Sequence, residues 1–336
     1  MPLFPPCISR ARLGLGGAPL GNLFAPVPDS NAQRVLEAAW SSGCRSFDTA
    51  PHYGSGLSEQ RFGALLRSRP RDSFALSTKV GRLLTPDPAP PRERHGYVDG
   101  LPFAQHWDFS AAGVRRSVDG SLARLGLTRL DTVYVHDCDA ATHGADAPRV
   151  RRQVIDETLP ALRALQREGL VRAVGLGVND VAIVVDILRE AELDAVLLAG
   201  RYSLLDHSAL PTLLPLCAQR GVRIALGGVF NSGLLATGTH GGGTPRFNYI
   251  PAAPAWVERT ARIEAVCAAH GVPLRAAALQ FPLAHPAIEI VLVGARDESE
   301  WHDALAMVQH PIPGAFWRDL RAAQLLPPDA PVPMLP

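Results

Sequence analysis

The 336-residue sequence predicts an α/β fold, one (β/α)8 barrel running through the whole chain, residues 1–336. Three observations lead there. Short apolar, β-type runs alternate eight times with amphipathic stretches, the pattern of parallel strands joined by crossover helices. No linker, internal repeat or shift in composition divides the chain, which is long enough for one large core. The competing doubly wound sheet wants Gly-x-Gly-x-x-Gly after a strand. Here Gly14 and Gly16 are followed by Pro19 in the third place, and Gly175 and Gly177 by Asp180, so both candidates fail.

In chain order, 12–16 reads as the first strand and 29–42 as its helix, with Asp29 or Ser30 as N-cap. The second strand is 44–47 with helix 58–69, and the third is 74–80. Residues 82–108 are rich in proline and aromatics and show no periodicity, so they form a long rim loop, a lid or insertion. Helix 111–125 follows, then the fourth strand at 130–136 and a helix at 155–168 ended by Gly169. The fifth strand is 171–176 with helix 181–191, and the sixth is 193–198 with helix 210–220 closed at Gly221. The seventh, 222–226, leads into a second long rim loop at 227–254. Helices at 256–270 and 274–283, the eighth strand at 288–293, and helices at 299–308 and 315–325 complete the chain.

A formal net charge of +1 without a basic run excludes nucleic acid and anionic membranes as partners, since both need a concentrated cationic face. A small neutral or anionic ligand is the expected partner. Cys7, Cys44, Cys138, Cys217 and Cys267 are scattered and odd in number, as reduced, mostly buried thiols are. The first twelve residues lack the apolar core of a signal peptide and no run is long enough to span a bilayer, so a cytoplasmic protein is expected, a monomer or small homo-oligomer. His136 with Asp137 and Asp139 has no third ligand at useful spacing, and no metal is expected.

In such a barrel the strand C-termini meet at one rim, so polar residues ending different strands become neighbours. The second strand delivers Asp48 and then Tyr53, the third Lys79, the fourth His136. Tyrosine, with a reference pKa of about 10, is a poor acid or base until an ammonium beside it favours the phenolate. Lys79 supplies the ammonium, Asp48 keeps it charged, and His136 hydrogen-bonds the reacting oxygen. His52, His106, Trp107, Asn231 and Tyr249 lie in loops that reach the rim and suit a polar ligand. Lys79 alone would also fit a Schiff-base aldolase. The His240-Gly241-Gly242-Gly243 loop has no Gly-x-Ser-x-Gly elbow to go with it and reads as surface.

Asp48, Ala50, Tyr53, Gly54 and Glu59, the strand Ser77-Thr78-Lys79, and Val135-His136 together resemble the aldo-keto reductases, a likeness continuing through Gly233-Leu234-Leu235 and Gly294-Ala295-Arg296. The resemblance covers about residues 10 to 310 and implies a TIM barrel holding a nicotinamide cofactor without a Rossmann fold. It assigns Tyr53 as general acid/base, Lys79 and Asp48 as its tuning pair, and His136 as orienter of the substrate oxygen. The implied cofactor contacts are Gly17, Asp48, Asn179, Gly228, Phe230, Ser232, Gly233, Gly294, Arg296 and Glu300, with the loop 228–233 around the pyrophosphate. Where relatives stack a Tyr on the nicotinamide this chain has Gly227, and the usual carboxamide Gln is Ala199. Glu300 stands where NADP-specific members carry a base, which implies NAD as preferred cofactor, with NADP possible through Arg296. The segments 17–23, 199–206, 228–233 and 280–286 resemble the sugar-oxidising branch. That implies oxidation of an aldopyranose of L-fucose, D-arabinose or L-galactose type at C1, with substrate contacts from His52, Trp107, His136, Asn231 and Tyr249. Pyridoxal or another aldehyde is the alternative substrate, and a nicotinamide-binding sensor with little turnover is the alternative of another class.

Overall fold

Eight parallel strands close on one another in chain order in the computed structural model, which describes residues 12–333. They are β1 (Leu13–Gly16), β2 (Ser46–Asp48), β3 (Ala75–Val80), β4 (Leu130–His136), β5 (Val171–Val178), β6 (Ala195–Ala199), β7 (Arg223–Gly227) and β8 (Ile288–Gly294). Strand β8 pairs back onto β1 through Leu13 and Val291, which seals the barrel. Cys7 lies outside the described residues. The other four cysteines are buried free thiols, and burial pushes Cys44 up to about 11.

Two apolar layers hold the barrel. The larger lies between strands and helices and takes in residues such as Val133, Val135, Leu176 and Phe281. The smaller fills the lumen, where fully buried Tyr134 meets Ala75, Leu197, Ile290 and Leu292. A Cβ on Gly175 would stand 2.1 Å from the Ala195 carbonyl and 3.0 Å from the Tyr134 ring, so only glycine fits beside that plug. The helix Ala111–Leu125 follows its expected bounds and is capped by Ser110, whose Oγ accepts from the Gly113 amide.

Several expectations shift. Neither Asp29 nor Ser30 caps the first helix, Asp29–Ser41, which follows Pro28 without a side-chain cap; Asp29 accepts from Arg61 instead. The helix expected at 155–168 begins earlier, at Ala147, and passes through one π-turn at Val154–Thr158 before Leu159–Arg167. The strands expected at 44–47 and 193–198 sit later, because pairing with their neighbours rather than local apolarity sets the register. Residues 82–108 are ordered as two antiparallel pairs, Arg82–Pro86 with Phe103–Trp107 and Glu93–Arg94 with Tyr97–Val98. A third small hairpin, Arg246–Phe247 with Ile250–Pro251, stands within the second rim loop. Among the described residues no helix is long and apolar enough to cross a membrane.

Candidate active site

Asp48 ends β2 directly opposite Ser77 on β3, and side chains two apart on a strand share a face. Ser77 and Lys79 therefore reach the same carboxylate: Ser77 Oγ donates to Oδ1 at 2.7 Å and Lys79 Nζ to Oδ2 at 2.8 Å. Lys79 Nζ also donates to the Thr49 carbonyl at 2.9 Å. Thr78, between them, points the other way and donates at 2.7 Å to Glu59, a buried carboxylate also bound by Arg124. Gly177 on β5 lies beside the lysine stem, where a Cβ would crowd Tyr134 Cβ at 3.2 Å and only touch Lys79 Cε at 3.4 Å. Gly17 is held just as closely: its amide donates to the Asp48 carbonyl at 2.8 Å and a Cβ would collide with Ser58 Oγ.

Tyr53 leaves the short turn after β2 and lies over this pair, with Lys79 Nζ 4.6 Å from its ring centroid. The ammonium thus meets the ring face. Burial and the negative charge of Asp48 push the phenol well above its usual value, which corrects the expectation that Lys79 would bring it toward phenolate. Burial also pushes Asp48 up, against the pull of Lys79 and Ser77. At the phenol, desolvation is the larger cause, and the Asp48 carboxylate adds to it.

His136 ends β4, 6.0 Å from Tyr53 between ring centroids. Arg82 Nη1 donates to His136 Nδ1 at 3.0 Å and Arg82 Nη2 to Asp137 Oδ2 at 2.8 Å, while the guanidinium stacks 4.0 Å above Trp107. A guanidinium has only donors, so Nδ1 accepts and the ring proton sits on Nε2. His52 lies 5.7 Å from His136 with its Nδ1 against Gln105 Oε1 at 2.8 Å. The Gln105 amide nitrogen donates to the His52 carbonyl and to Ser55 Oγ, both at 3.2 Å. Both histidines are kept neutral: burial first, then Arg82, pushes His52 down to about 3 and His136 well below its usual value.

Tyr53, Lys79, His52, His136, Asn179 and Tyr249 line one cavity of ≈ 660 Å³ at the C-terminal rim. Tyr249 comes from the hairpin, where its hydroxyl meets Asn179 and its amide donates to Ser232 Oγ at 2.8 Å. Two expected substrate residues do not line it. Trp107 backs Arg82 from outside and is 43% exposed, and Asn231 is buried with Nδ2 on the Gly200 carbonyl at 3.3 Å. His106 is turned to Thr85 on the hairpin. The sequence reading missed Arg82, Gln105, Tyr97 and Arg201, all brought in by rim segments rather than strand ends. Neither 82–85 nor 103–107 alternates in polarity, so the sequence carried no signal for the hairpin that brings in the first two.

The rim fits a dinucleotide in three respects. In the loop 228–233, Gly228, Asn231, Ser232 and Gly233 all have positive φ, a curl that turns successive amides to one side as in anion-binding loops. Asn231 Oδ1 is buried without a partner beside it. Asn179 projects into the cavity next to Tyr249, where a carboxamide could be read. Phe230 packs its ring on the core, so any contact from it is through the backbone. At the end of β8, Gly294 admits the close approach of Pro19, and Arg296 folds onto Glu300, its Nη2 donating to Oε1 at 2.6 Å. Among the described residues no three His, Cys, Asp or Glu side chains converge on a metal-sized site.

The aldo/keto reductase family model matches residues 12–324. The chain is 42% identical over 330 residues to a pyridoxal 4-dehydrogenase of Microbacterium luteolum, covering 95% of each. It is 40% identical to a D-threo-aldose 1-dehydrogenase of a Pseudomonas species, covering 94% of each, and 32% identical to an L-galactose dehydrogenase of Arabidopsis thaliana, covering 89% of this chain and 84% of that one. Among solved structures, an aldo-keto reductase of Bacillus halodurans in its holo form superposes with a TM-score of 0.71 at 24% identity, over 94% of this chain and 91% of that one, a likeness of fold. A closed eight-stranded barrel with this rim, matched by the family along nearly its whole length, makes the chain a member of the aldo/keto reductase family, an oxidoreductase acting on CH–OH groups with a nicotinamide cofactor.

Proposed function

We propose that the chain oxidises an aldopyranose at C1 to the aldonolactone, with NAD as the preferred cofactor. The observation that carries this reading is the placing of Tyr53 above the Lys79–Asp48 pair, with two neutral histidines 6.2 and 6.0 Å from it between ring centroids, all lining one rim cavity. Oxidation of a ring-closed sugar removes a hydride from C1 and a proton from its hydroxyl, leaving the lactone carbonyl. The nicotinamide, when bound, supplies the hydride acceptor and a positive ring charge. Tyr53 receives the hydroxyl proton, and His136 Nε2–H donates to the same oxygen, holding C1 in place. Lys79 stays paired with Asp48 throughout; its role is to keep positive charge under the phenolate until it takes up the substrate's proton.

In the free protein the phenol is firmly protonated, so proton uptake by Tyr53 requires its prior ionisation, which added positive charge and rising pH both favour. The rate of oxidation is therefore expected to climb with pH, and the reverse reduction to fall. A second reading has support in the 42% identity to a pyridoxal 4-dehydrogenase. Pyridoxal carries a hydroxymethyl group beside its aldehyde and closes to a cyclic hemiacetal, so the same proton and hydride are removed. Tyr97, stacked 5.9 Å from Tyr53, gives a flat ring something to lie against.

The NAD preference rests on the pairing of Arg296 with Glu300, which leaves no uncommitted positive charge for a 2′-phosphate. One panel tests the whole reading: L-fucose, D-arabinose, L-galactose and pyridoxal, each with NAD and with NADP, following nicotinamide reduction. Turnover of a sugar with NAD is the expected result. Turnover of pyridoxal alone moves the assignment to the second reading, and cofactor binding without turnover of any substrate restores the sensor alternative.

A further inference from the structure

The two neutral histidines facing Tyr53 are held in opposite tautomers, and each is fixed by a partner that permits no other choice. Arg82 can only donate, so His136 Nδ1 accepts at 3.0 Å and Nε2 carries the proton. For His52 the fixing group is Gln105. Its amide nitrogen faces the His52 carbonyl at 3.2 Å, and a carbonyl can only accept, so the amide cannot be turned round. Gln105 Oε1 then faces His52 Nδ1 at 2.8 Å, which must carry the proton. His52 Nε2 is left as a bare acceptor on a cavity-lining ring, 5.7 Å from the ring whose Nε2 is a donor. Neither Nε2 has a protein partner within hydrogen-bond distance; Asp137 Oδ2 stands 3.6 Å from His136 Nε2. Gaining a proton would disarm His52 as an acceptor, and burial together with Arg82 and Lys79 prevents it.

We propose that His52 and His136 form a fixed acceptor–donor pair that selects substrates carrying a hydroxyl on the carbon next to the one oxidised. The proposal rests on the reading of the chain as a C1 oxidase. His136 donates to the reacting oxygen, and His52 accepts from the neighbouring hydroxyl, which in an aldopyranose is that on C2. Both groups of the substrate are satisfied only when that hydroxyl is present; without it, His52 Nε2 is shut in without a donor. A site built to bond a hydroxyl rejects the analogue lacking it far more strongly than an apolar pocket rejects a missing methylene. Chemistry alone would favour the opposite order, because an electron-withdrawing C2 oxygen slows hydride loss from C1. A preference for the hydroxylated sugar is thus a sign of recognition.

The test compares D-arabinose with 2-deoxy-D-erythro-pentose, which differ in the C2 hydroxyl alone, by kcat/KM in the wild-type protein and in His52→Phe. Wild type is expected to favour the hydroxylated sugar by about tenfold or more, and His52→Phe to bring the ratio close to one. The ratio is insensitive to partial misfolding, which lowers both rates together. Gln105→Met, which keeps the imidazole but frees its tautomer, is expected to fall between them. Equal turnover of the two sugars by wild type overturns the pair and leaves C1 oxidation standing. Turnover of neither moves the same comparison to L-fucose and its 2-deoxy form; oxidation of no sugar of the panel overturns that reading and the pair with it. An undiminished ratio in His52→Phe assigns the hydroxyl to another residue and overturns the role of His52.

Discussion

The two ends of the barrel both carry acidic side chains drawn in between strands, and they treat them differently. At the N-terminal end Asp131, on β4, is saturated: Oδ2 accepts from Arg71 Nη2 at 2.5 Å and the Leu76 amide at 2.8 Å, and Oδ1 from Arg172 at 3.2 Å. Asp194 likewise takes Arg163 at 2.5 Å and the Val174 amide at 2.8 Å. In the ≈ 570 Å³ depression there, Asp194 is committed to Arg163 and Arg172 to Asp131. At the C-terminal end Asp48 has one lysine and one serine, and the groups around it, Tyr53, His52 and His136, keep a polar atom turned to the cavity. One end spends its hydrogen bonds on holding strands together. The other leaves them open for a ligand.

The strongest break of this comparison is Tyr53→Phe. Removing the one proton carrier should lower turnover by about 10²–10⁴-fold, the usual contribution of a positioned acid or base. The melting temperature and cofactor binding, read by quenching of intrinsic fluorescence, should stay near wild type. Near-normal turnover in that variant would end the assignment of Tyr53.

Deleting one member of a buried pair at each end separates their purposes. Lys79→Met strands Asp48 in the rim and should cost about 3 kcal/mol together with most of the turnover. The loss stays at the lower end of the range for broken buried pairs because the carboxyl, already pushed up by burial, can take a proton. Asp131→Ala should cost about 3 kcal/mol, because it leaves Arg71, 14% exposed, and the Leu76 amide without the carboxylate, although Arg71 keeps the Phe74 and Arg129 carbonyls, while kcat well below the melting temperature is unchanged. Urea unfolding and initial rates on the same preparations decide it. A loss of turnover in Asp131→Ala without unfolding would mean that the two ends are coupled.

The barrel and the three strand-end residues were legible in the sequence for a common reason. Parallel strands buried on both faces read as continuous apolar runs, and their last residues must face the rim, so the sequence alone places Asp48, Lys79 and His136 together. What decides their protonation was not legible. Arg82 and Gln105 reach His136 and His52 across 54 and 53 residues of chain, from a hairpin whose proline-rich sequence shows no periodicity. Trp107 and Asn231 were misplaced by the same limit: a loop residue's distance from the rim depends on how the loop folds back. The direction of the Tyr53 shift was missed because a charge pair was weighed without the burial that outweighs it.

Acid stability should report the open end. His52 is pushed down to about 3 and His136 well below its usual value, whereas in the unfolded chain each takes up a proton near pH 6.5. Between these limits the unfolded state binds more protons, so stability is full above about pH 6.5 and declines as pH falls below it. Urea midpoints at pH 7.5 and 5 should show the decline, and His52→Gln should flatten it. An unchanged slope in that variant would mean that His52 already carries its proton in the folded protein, which would remove its acceptor nitrogen as well.

The smallest effect is expected where the rim departs from its own rule. Arg296 and Glu300 form a self-satisfied pair like those at the far end, but an exposed one, with side chains 59% and 36% accessible. The backbone amide of Arg296 also donates to Glu300 at 2.8 Å, so the carboxylate is held in place rather than offered freely to a ribose. Glu300→Gln removes the countercharge and leaves the guanidinium to a 2′-phosphate. Exposed charges are worth about 0–1 kcal/mol and are screened by salt, so the ratio of kcat/KM for NADP over NAD should rise only a few-fold. The rise should shrink between low and high ionic strength. A ratio that does not move at low salt would place the 2′-position of the cofactor away from this pair, and with it the basis for the NAD preference.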